Sequence, residues 1–373
     1  MEMDLNFWLQ LLTVAFCIGL GGRYGGVGLG AAGGLGVCIL VLLFGLKPSS
    51  PPVSTILIIV AVIACTSILQ GAGGLDWMVK IAERMLRKWP KAITFVAPFV
   101  CSLFVIFVGT AYVAFAVYPV VAEVATQARV RPERPIAASV ISAGIAVVAS
   151  PMSAATAALV AALSPYNVSL IEILMISVPA FLFATFCTCL AVYWKGTELE
   201  NDPEFRRRVE SGDFQDLVMT EKKSEKEDAS KMKKVRLSVG VFGVSWLTGT
   251  FFDAYHDGFV ELFKVMAEST PLLFGVVLFL FSAVILSPSA TVVALMPLGA
   301  AIGIPPLLLV ALYPASCGDF LIPGGAQIGC CSFDRTGTTH LGSWVLNHSY
   351  LIPGFVHILT GVAAGYGIYC LIG

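Results

Sequence analysis

Long apolar stretches that carry almost no charge are the feature that most constrains this chain. Of its 373 residues 57% are hydrophobic and 13% are charged, and 22 of the 47 charged residues fall within residues 195–236. A soluble domain is about 45–50% apolar and about 25% charged. The sequence therefore predicts an all-α polytopic membrane protein in a lipid bilayer. It excludes a soluble enzyme, a disordered protein and a nucleic-acid binder.

Two kinds of apolar segment occur along the sequence. Uninterrupted segments long enough to cross a bilayer as helices lie at about 5–21, 25–46, 53–71, 169–194, 236–252 and 345–372. Segments broken by Gly, Pro, Ser or Thr lie at 92–128, 135–166, 271–304 and 305–335. Because backbone polar groups in hydrocarbon need partners, a helix is interrupted there only where protein or water covers the break. The interrupted segments are therefore the candidates for a functional site.

Lysine and arginine are distributed unequally between the two sides that these spans define. Twenty-one of them fall in loops on one side, whereas only Lys47 and Lys264 fall on the other. Basic loops stay in the cytoplasm, so both termini are predicted to be periplasmic. With this orientation 92–128 and 271–304 each enter and return as re-entrant hairpins, whereas 135–166 and 305–335 each cross once as broken transmembrane helices.

The two halves of the chain thus repeat the same order of segments with opposite orientation. The hairpins bend near Gly109-Thr110 and Ser287-Pro288-Ser289, and the broken helices are interrupted at Ser150-Pro151 and Pro323-Gly324-Gly325. Corresponding interruptions in two inverted repeats point to a transporter's binding site. The simpler alternative, in which Pro and Gly merely kink packed helices, stays open.

The chemistry expected at such breaks is that of free peptide groups. Half-helix ends with free N–H groups attract anions, and ends with free carbonyls attract cations. No Lys or Arg lies near the middle of any span, so a bound anion would be held by N–H and O–H groups. The predicted substrate-binding residues are Gly109, Thr110, Tyr112, Ser150, Pro151, Ser153, Ser287, Ser289, Thr291, Gly324, Gly325 and Gln327.

Asp319 is the only acid well inside a predicted span, and an ionised carboxylate there is costly. It is predicted either to couple an ion together with Ser316 or to be a neutral, capped carboxyl beside the Pro323 break. H⁺ and Na⁺ are both left open as the coupling ion. No metal site, other cofactor or catalytic group is expected. Asp334 and Arg335 are expected to pair with each other or with interfacial water.

Several short strings carry a resemblance to a known family. The specific ones are Arg131-Pro-Glu-Arg-Pro135 and Phe333-Asp-Arg-Thr-Gly-Thr-Thr339, followed by Asn347-His-Ser349 and Pro353-Gly354. In this order the chain resembles the anaerobic C4-dicarboxylate uptake (Dcu) transporters of the ion-transporter superfamily, over about residues 7–373. It departs from the family's pattern at Gly324–Gln327, inside the expected site, which bears on substrate choice.

The resemblance implies a specific function, which composition alone does not predict. It implies transport of fumarate, succinate, malate and aspartate across the bacterial inner membrane, by exchange or by cation-coupled uptake through alternating access. It also implies a homodimer with an elevator-type transport domain on a scaffold, and it leaves open a contact with a sensor kinase. The alternatives are an inorganic-ion or cation/proton antiporter of the same superfamily and an intramembrane enzyme. The chain offers no nucleophile with a base at one depth, so it is predicted not to be an enzyme.

The chain is accordingly divided into seven parts. Scaffold is expected at 1–91 and 236–270, single spans at 167–194 and 336–373, and a charged cytoplasmic loop at 195–235. The transport domain is expected to combine the first hairpin and broken helix, 92–166, with the second, 271–335.

Overall fold

The computed structural model is helical throughout the part of the chain that it describes, and no β-strand occurs in that part. Four stretches there are long and apolar enough to cross a membrane: Pro90–Val108, Glu133–Tyr166, Leu170–Tyr193 and Leu351–Ile372. An all-α polytopic membrane architecture is thereby confirmed. The described residues are 5–24, 26–48, 74–210, 246–247, 250–251, 254–255, 258, 271–323, 325–331, 333–341 and 347–372. The predicted spans at 53–71 and, for the most part, 236–252 lie outside these residues.

Two compact units divide the chain, one made of residues 1–71 and 216–265, the other of 72–215 and 266–373. In the first unit α1 (Leu5–Tyr24) packs against α2 (Gly26–Leu42). The Tyr255 hydroxyl donates a hydrogen bond of 2.7 Å to the Gln10 side chain. The core of this unit consists of Phe7, Val14, Cys17, Val37, Leu40, Leu247 and Phe251.

The second unit contains the interrupted segments. Its helices before the charged loop are α3 (Gly74–Lys88), α4 (Ile93–Val108), α5 (Tyr118–Gln127), α6 (Glu133–Ile145), α7 (Ala154–Leu163) and α8 (Leu170–Tyr193), followed by α9 (Pro203–Glu210) within it. Its later helices are α10 (Leu273–Ile285), α11 (Pro288–Ala301), α12 (Pro306–Leu312), α13 (Gly325–Cys331) and α14 (Leu351–Ile372). Short 3₁₀ turns occupy Pro90–Ala92, Ala111–Ala116, Ala146–Ala149, Ser164–Tyr166, Leu199–Asn201 and Tyr313–Cys317.

Long helices frame the interruptions in this unit. The longest, α8, begins at a capping box, in which Ser169 accepts from the Glu172 N–H and the Glu172 carboxylate accepts from the Ser169 N–H at 2.7 Å. It packs along α14, and this pair also contacts the 3₁₀ turns Ala146–Ala149 and Tyr313–Cys317. Both interruptions therefore lie against the same pair of helices.

The same succession of backbone conformations occurs at the two predicted hairpin bends. The helix α4 ends at Gly109, with φ +79°, and α10 ends at Leu286, with φ +56°. Both residues are left-handed, a conformation that glycine adopts without strain. The next residue is extended in each case, and its hydroxyl accepts a backbone N–H: Thr110 from Tyr112 and Ser287 from Ala290. Both helices thus end at the positions where the sequence predicts the bends.

The first broken helix is interrupted where predicted. The turn Ala146–Ala149 is followed by extended Ser150, and α7 restarts after its N-cap, Ser153. Pro151 lies in the gap, where its missing N–H costs no helical hydrogen bond.

The second broken helix differs in the position of its break. The helical turn ends at Gly318, the chain is non-helical through Pro323, and Gly325 already begins α13. The reason is a tertiary contact: the Gly318 N–H donates to the Ser282 hydroxyl at 2.7 Å. A Cβ on Gly318 would lie 2.6 Å from the Phe279 carbonyl oxygen, so the close approach requires glycine. Gly324 lies outside the described residues. The inverted repeat, the re-entrant course of the hairpins and the seven-part division stay predictions.

Candidate functional site

Each interruption is joined to the hairpin that precedes it. In the first half the Ser150 hydroxyl donates to the Ile106 carbonyl at 2.8 Å, and the Met152 N–H donates to the Ser150 hydroxyl at 3.3 Å. Gly109 lies directly against this break, because a Cβ there would be 2.6 Å from the Met152 carbonyl oxygen. The tip of the first hairpin is thus held on the first break.

The second half has an equivalent joint. The Ser282 hydroxyl on α10 donates to the Phe279 carbonyl at 2.9 Å and accepts the Gly318 N–H at 2.7 Å. In both halves a buried serine therefore connects the first limb of the hairpin to the broken helix. Ser282 was not among the predicted site residues.

One hydroxyl pair links the two interruptions. Thr156 Oγ1 lies 3.1 Å from the Tyr313 hydroxyl, and the two residues are 157 positions apart in the chain. Thr156 also donates to the Val147 carbonyl at 3.1 Å and lies 3.0 Å from the Ser153 hydroxyl. Sequence reasoning missed both Thr156 and Tyr313. No local sequence pattern marks either residue, because their contact joins two distant parts of the chain.

The second limb of each hairpin packs on the second part of the other broken helix. The helix α11 packs against α7. In the opposite pairing the Phe115 ring lies 3.2 Å from the position of a Cβ on Gly329 in α13, and 6.5 Å, between centroids, from the Phe333 ring. The hairpins and breaks therefore surround one region of the second unit.

The predicted substrate-binding and ion-coupling residues fall into two groups by exposure. The buried ones are Ser150, Ser153, Thr291, Ser316 and Gln327. The half-buried or exposed ones are Gly109, Thr110, Tyr112, Pro151, Ser287, Ser289 and Asp319. The buried hydroxyls bond carbonyl oxygens of the protein, as Ser153 does with Val147 at 2.6 Å and Ser316 with Tyr313 at 2.8 Å. A solute would therefore reach the second group first.

Asp319 lies in the second break rather than inside a helix. Its carboxylate is close enough to the Tyr112 hydroxyl for the two to interact electrostatically. Tyr112 follows the tip of the first hairpin and stacks on Phe115, with 6.3 Å between ring centroids. Asp319 in the second break thus lies within electrostatic reach of the segment that follows Gly109-Thr110.

A second polar cluster surrounds Glu133, at the start of α6. This carboxylate, whose residue is 1% exposed, accepts from Arg131 Nε at 2.8 Å, from Lys195 Nζ at 2.9 Å and from the Ser349 hydroxyl at 2.7 Å. The Glu133 N–H donates to Thr338 Oγ1 at 3.2 Å. Both strings that carry the resemblance, the start of the segment after α8 and Ser349 therefore meet at Glu133, through its carboxylate or its backbone N–H.

Asp334 does not pair with Arg335 as expected. Its carboxylate instead accepts from the Thr336 N–H at 2.9 Å, from the Thr338 hydroxyl at 2.8 Å and from the Thr339 N–H at 2.6 Å. These donors follow within five positions, so the Asp334 side chain closes its own turn. The Arg335 side chain is left exposed.

Comparison with known proteins identifies the family of this chain. A family described as anaerobic C4-dicarboxylate membrane transporter matches residues 6–243 and 233–373. The anaerobic C4-dicarboxylate transporter DcuB of Escherichia coli O6:H1 is 30% identical over 96% of this chain and 98% of its own length. The C4-dicarboxylate transporter DcuA of Escherichia coli K12 is 32% identical over the same shares.

Similarity extends to a more distant bacterium. The C4-dicarboxylate transporter DcuA of Helicobacter pylori J99 is 30% identical over 99% of this chain and 100% of its own length. No solved structure matches the chain. The relatives are transporters by name, and the chain is accordingly not an enzyme. It belongs to the anaerobic C4-dicarboxylate membrane transporter family.

Proposed function

We propose that the chain carries C4-dicarboxylates such as fumarate, succinate, malate and aspartate across the bacterial inner membrane. The substrate would bind where the hairpin tips meet the helix breaks. The observation that carries this proposal is the hydroxyl link between Thr156 and Tyr313, at 3.1 Å, which brings two interrupted helices together. Interruptions are stable in a membrane only where they line protein or water.

Uncharged donors suit a substrate that must be released again. Hairpin tips and restarted helices expose N–H groups that have no acceptor within their own helix. Thr110, Ser287 and Ser289 add hydroxyls that are not fully buried. A dicarboxylate held by such dipoles is bound without a fixed positive charge, which would trap it. This supports alternating access rather than tight sequestration.

Asp319 is the proposed ion-coupling residue. It lies in the second break, half-buried, within electrostatic reach of Tyr112. A carboxylate in that position can bind H⁺ directly or serve as a ligand to Na⁺. Either ion would offset the charge of an approaching dianion, so uptake would become cation-coupled. Without such an ion the same site would support exchange.

The moving body of an elevator mechanism is proposed to be the second unit. Its hairpins, breaks, α8 and α14 pack together, so they can move as one. The matched tips at Gly109 and Leu286 and the matched serine joints at Ser150 and Ser282 support an inverted repeat. A homodimer, periplasmic termini and a sensor-kinase contact complete the proposal.

Counterflow in liposomes tests the function. Purified protein would be reconstituted into vesicles loaded with unlabelled succinate, and entry of radiolabelled fumarate would be followed with and without a sodium gradient, at two pH values. We expect exchange that malate and aspartate inhibit and citrate does not. Absence of exchange by folded protein under every gradient would reject the dicarboxylate proposal and favour the inorganic-ion or cation/proton antiporter.

A matched pair of variants locates the site. Ser289→Ala removes a half-buried hydroxyl of the second tip that makes no hydrogen bond within the described residues. We expect a higher KM for fumarate with an unchanged melting temperature. Ser164→Ala, at the exposed far end of α7, is the control and should leave both unchanged. Equal KM values for the two variants would remove Ser289 from the site.

A further inference from the structure

A polar cavity of 810 Å³ lies beside the Glu133 cluster, away from the hairpin tips. Its walls come from the start of α6, from the segment after α8 and from the turn that Asp334 closes. The residues that matter for its chemistry are Arg131, Asp202, Cys331, Asp334, Arg335 and Thr339. By the proposed topology the cavity opens toward the cytoplasm.

Of the three acids that line the cavity, Asp334 and Asp202 have both carboxylate oxygens occupied, and Glu204 accepts from Arg207 at 2.9 Å and from Arg208 at 2.8 Å. Both oxygens of Asp334 accept hydrogen bonds from threonines of its own turn. Asp202 accepts from Arg131 Nη1 at 2.6 Å through one oxygen and from the N–H groups of Glu204 and Phe205, each at 3.0 Å, through the other. These carboxylates therefore have little capacity left to attract a cation.

Hydrogen-bond donors around the same cavity are left over. The Thr339 hydroxyl is buried, the residue being 4% exposed, and it has no partner. The Arg335 guanidinium contacts no acceptor among the residues that the structure describes. Arg131 donates through Nε to Glu133 and through Nη1 to Asp202. Its Nη2 group has no acceptor among the described residues. Thr339 and Arg131 are buried whereas Arg335 is exposed, and an unpaired buried donor costs free energy unless something accepts from it.

We propose that this cavity is a second binding site for a dicarboxylate anion, distinct from the site at the hairpin tips. One carboxylate would accept from the Arg335 guanidinium, a pairing that forms short, charge-assisted hydrogen bonds, and the other would accept from Arg131 Nη2 and the Thr339 hydroxyl. This inference rests on the proposed function for the identity of the anion. The cavity would bind substrate on the cytoplasmic side of the membrane, before or after transport.

Cysteine alkylation tests the site without measuring transport. Cys331 lines the cavity and is half-buried, whereas Cys370, near the end of α14, is exposed and lies outside it. Purified protein would be treated with a small thiol reagent, and modification of each cysteine would be followed by peptide mass spectrometry. At succinate four times its dissociation constant, alkylation of Cys331 should be about fivefold slower by mass action, with Cys370 unchanged.

Two variants and one competing anion make the test decisive. Arg335→Gln should abolish the protection of Cys331, whereas Arg206→Gln, an exposed arginine on α9 that does not line the cavity, should retain it. Thr110→Val should lower exchange yet keep the protection, which separates this site from the transport site. Equal protection in Arg335→Gln, or equal protection by sulfate, would overturn the proposal.

Failure here is distinguishable from failure of the proposed function. If succinate does not protect Cys331 while the same preparation exchanges dicarboxylates in liposomes, the cavity site is rejected and the transporter proposal stands. If neither protection nor exchange occurs with folded protein, both are rejected.

Discussion

At Gly109 backbone conformation and packing against backbone atoms both require glycine. Its φ is +79°, and a Cβ would lie 2.6 Å from the Met152 carbonyl oxygen. For Gly109→Ala we expect a loss of about 1–2 kcal/mol from the left-handed conformation alone, and more from displacement of the break. Thermal unfolding in detergent should show a lower melting temperature, and the liposome assay slower exchange.

Gly144 provides the control for that substitution. It lies in α6, where an added Cβ meets nothing within 4 Å. Gly144→Ala should be neutral or stabilising, by about 0.5–1 kcal/mol. A Gly109→Ala protein that melts with the wild type would show that the hairpin tip is not held against the first break.

Glu133 is the residue with the largest expected effect on stability. Glu133→Gln leaves Arg131 and Lys195 without their common buried carboxylate, and breaking a buried pair costs about 3–5 kcal/mol. We expect a marked fall in melting temperature, partly restored by adding Lys195→Met. Glu123→Gln, which weakens an exposed pair with Arg87 and an exposed hydrogen bond with Gln127, should change little. Equal melting temperatures for the two glutamine variants would contradict the buried cluster.

Interrupted helices are the elements on which the function depends, and their joint can be measured. Tyr313→Phe and Thr156→Val each remove one side of the hydroxyl link between the breaks. In a double-mutant cycle the two substitutions should show a coupling of about 0.5–1.5 kcal/mol, read from denaturant titrations in detergent. Tyr313→Phe combined with Thr126→Val, whose hydroxyl bonds only its own helix, should be additive. Additivity in both cycles would show that the breaks are not joined there.

The elements also show where local reasoning succeeds. The break at Ser150-Pro151 was predictable because proline lacks an N–H and clashes with the preceding turn. The second break begins at Gly318, earlier than the Pro323-Gly324-Gly325 string predicts, because Ser282, 36 positions away in the chain, accepts the Gly318 N–H. No local sequence pattern predicts that Ser282 is the partner of Gly318.

At the scale of the whole molecule, the distribution of charge predicts orientation. Because 21 of the 23 basic residues fall on one side of the predicted spans, that side should be cytoplasmic. Alkaline phosphatase fused to the C-terminus should be active in cells, and green fluorescent protein at the same position should stay dark. Insertion of the same reporters after Glu210, at the end of α9, should give the reverse pattern. Fluorescence from the C-terminal fusion would invert the topology.

The sequence by itself determined the membrane environment, the helix ends near Gly109 and Ser287, and the family. These properties depend on hydropathy, on proline and glycine, and on short strings, all of which are local. Only the tertiary structure decided which hydroxyls are hydrogen-bonded within the protein and which stay exposed. It alone also decided that Thr156 contacts Tyr313 and that Glu133 contacts Lys195 and Ser349. The physical reason is that a hydrogen bond or ion pair is set by two groups brought together by helix packing. Neither group's own sequence neighbourhood specifies the other.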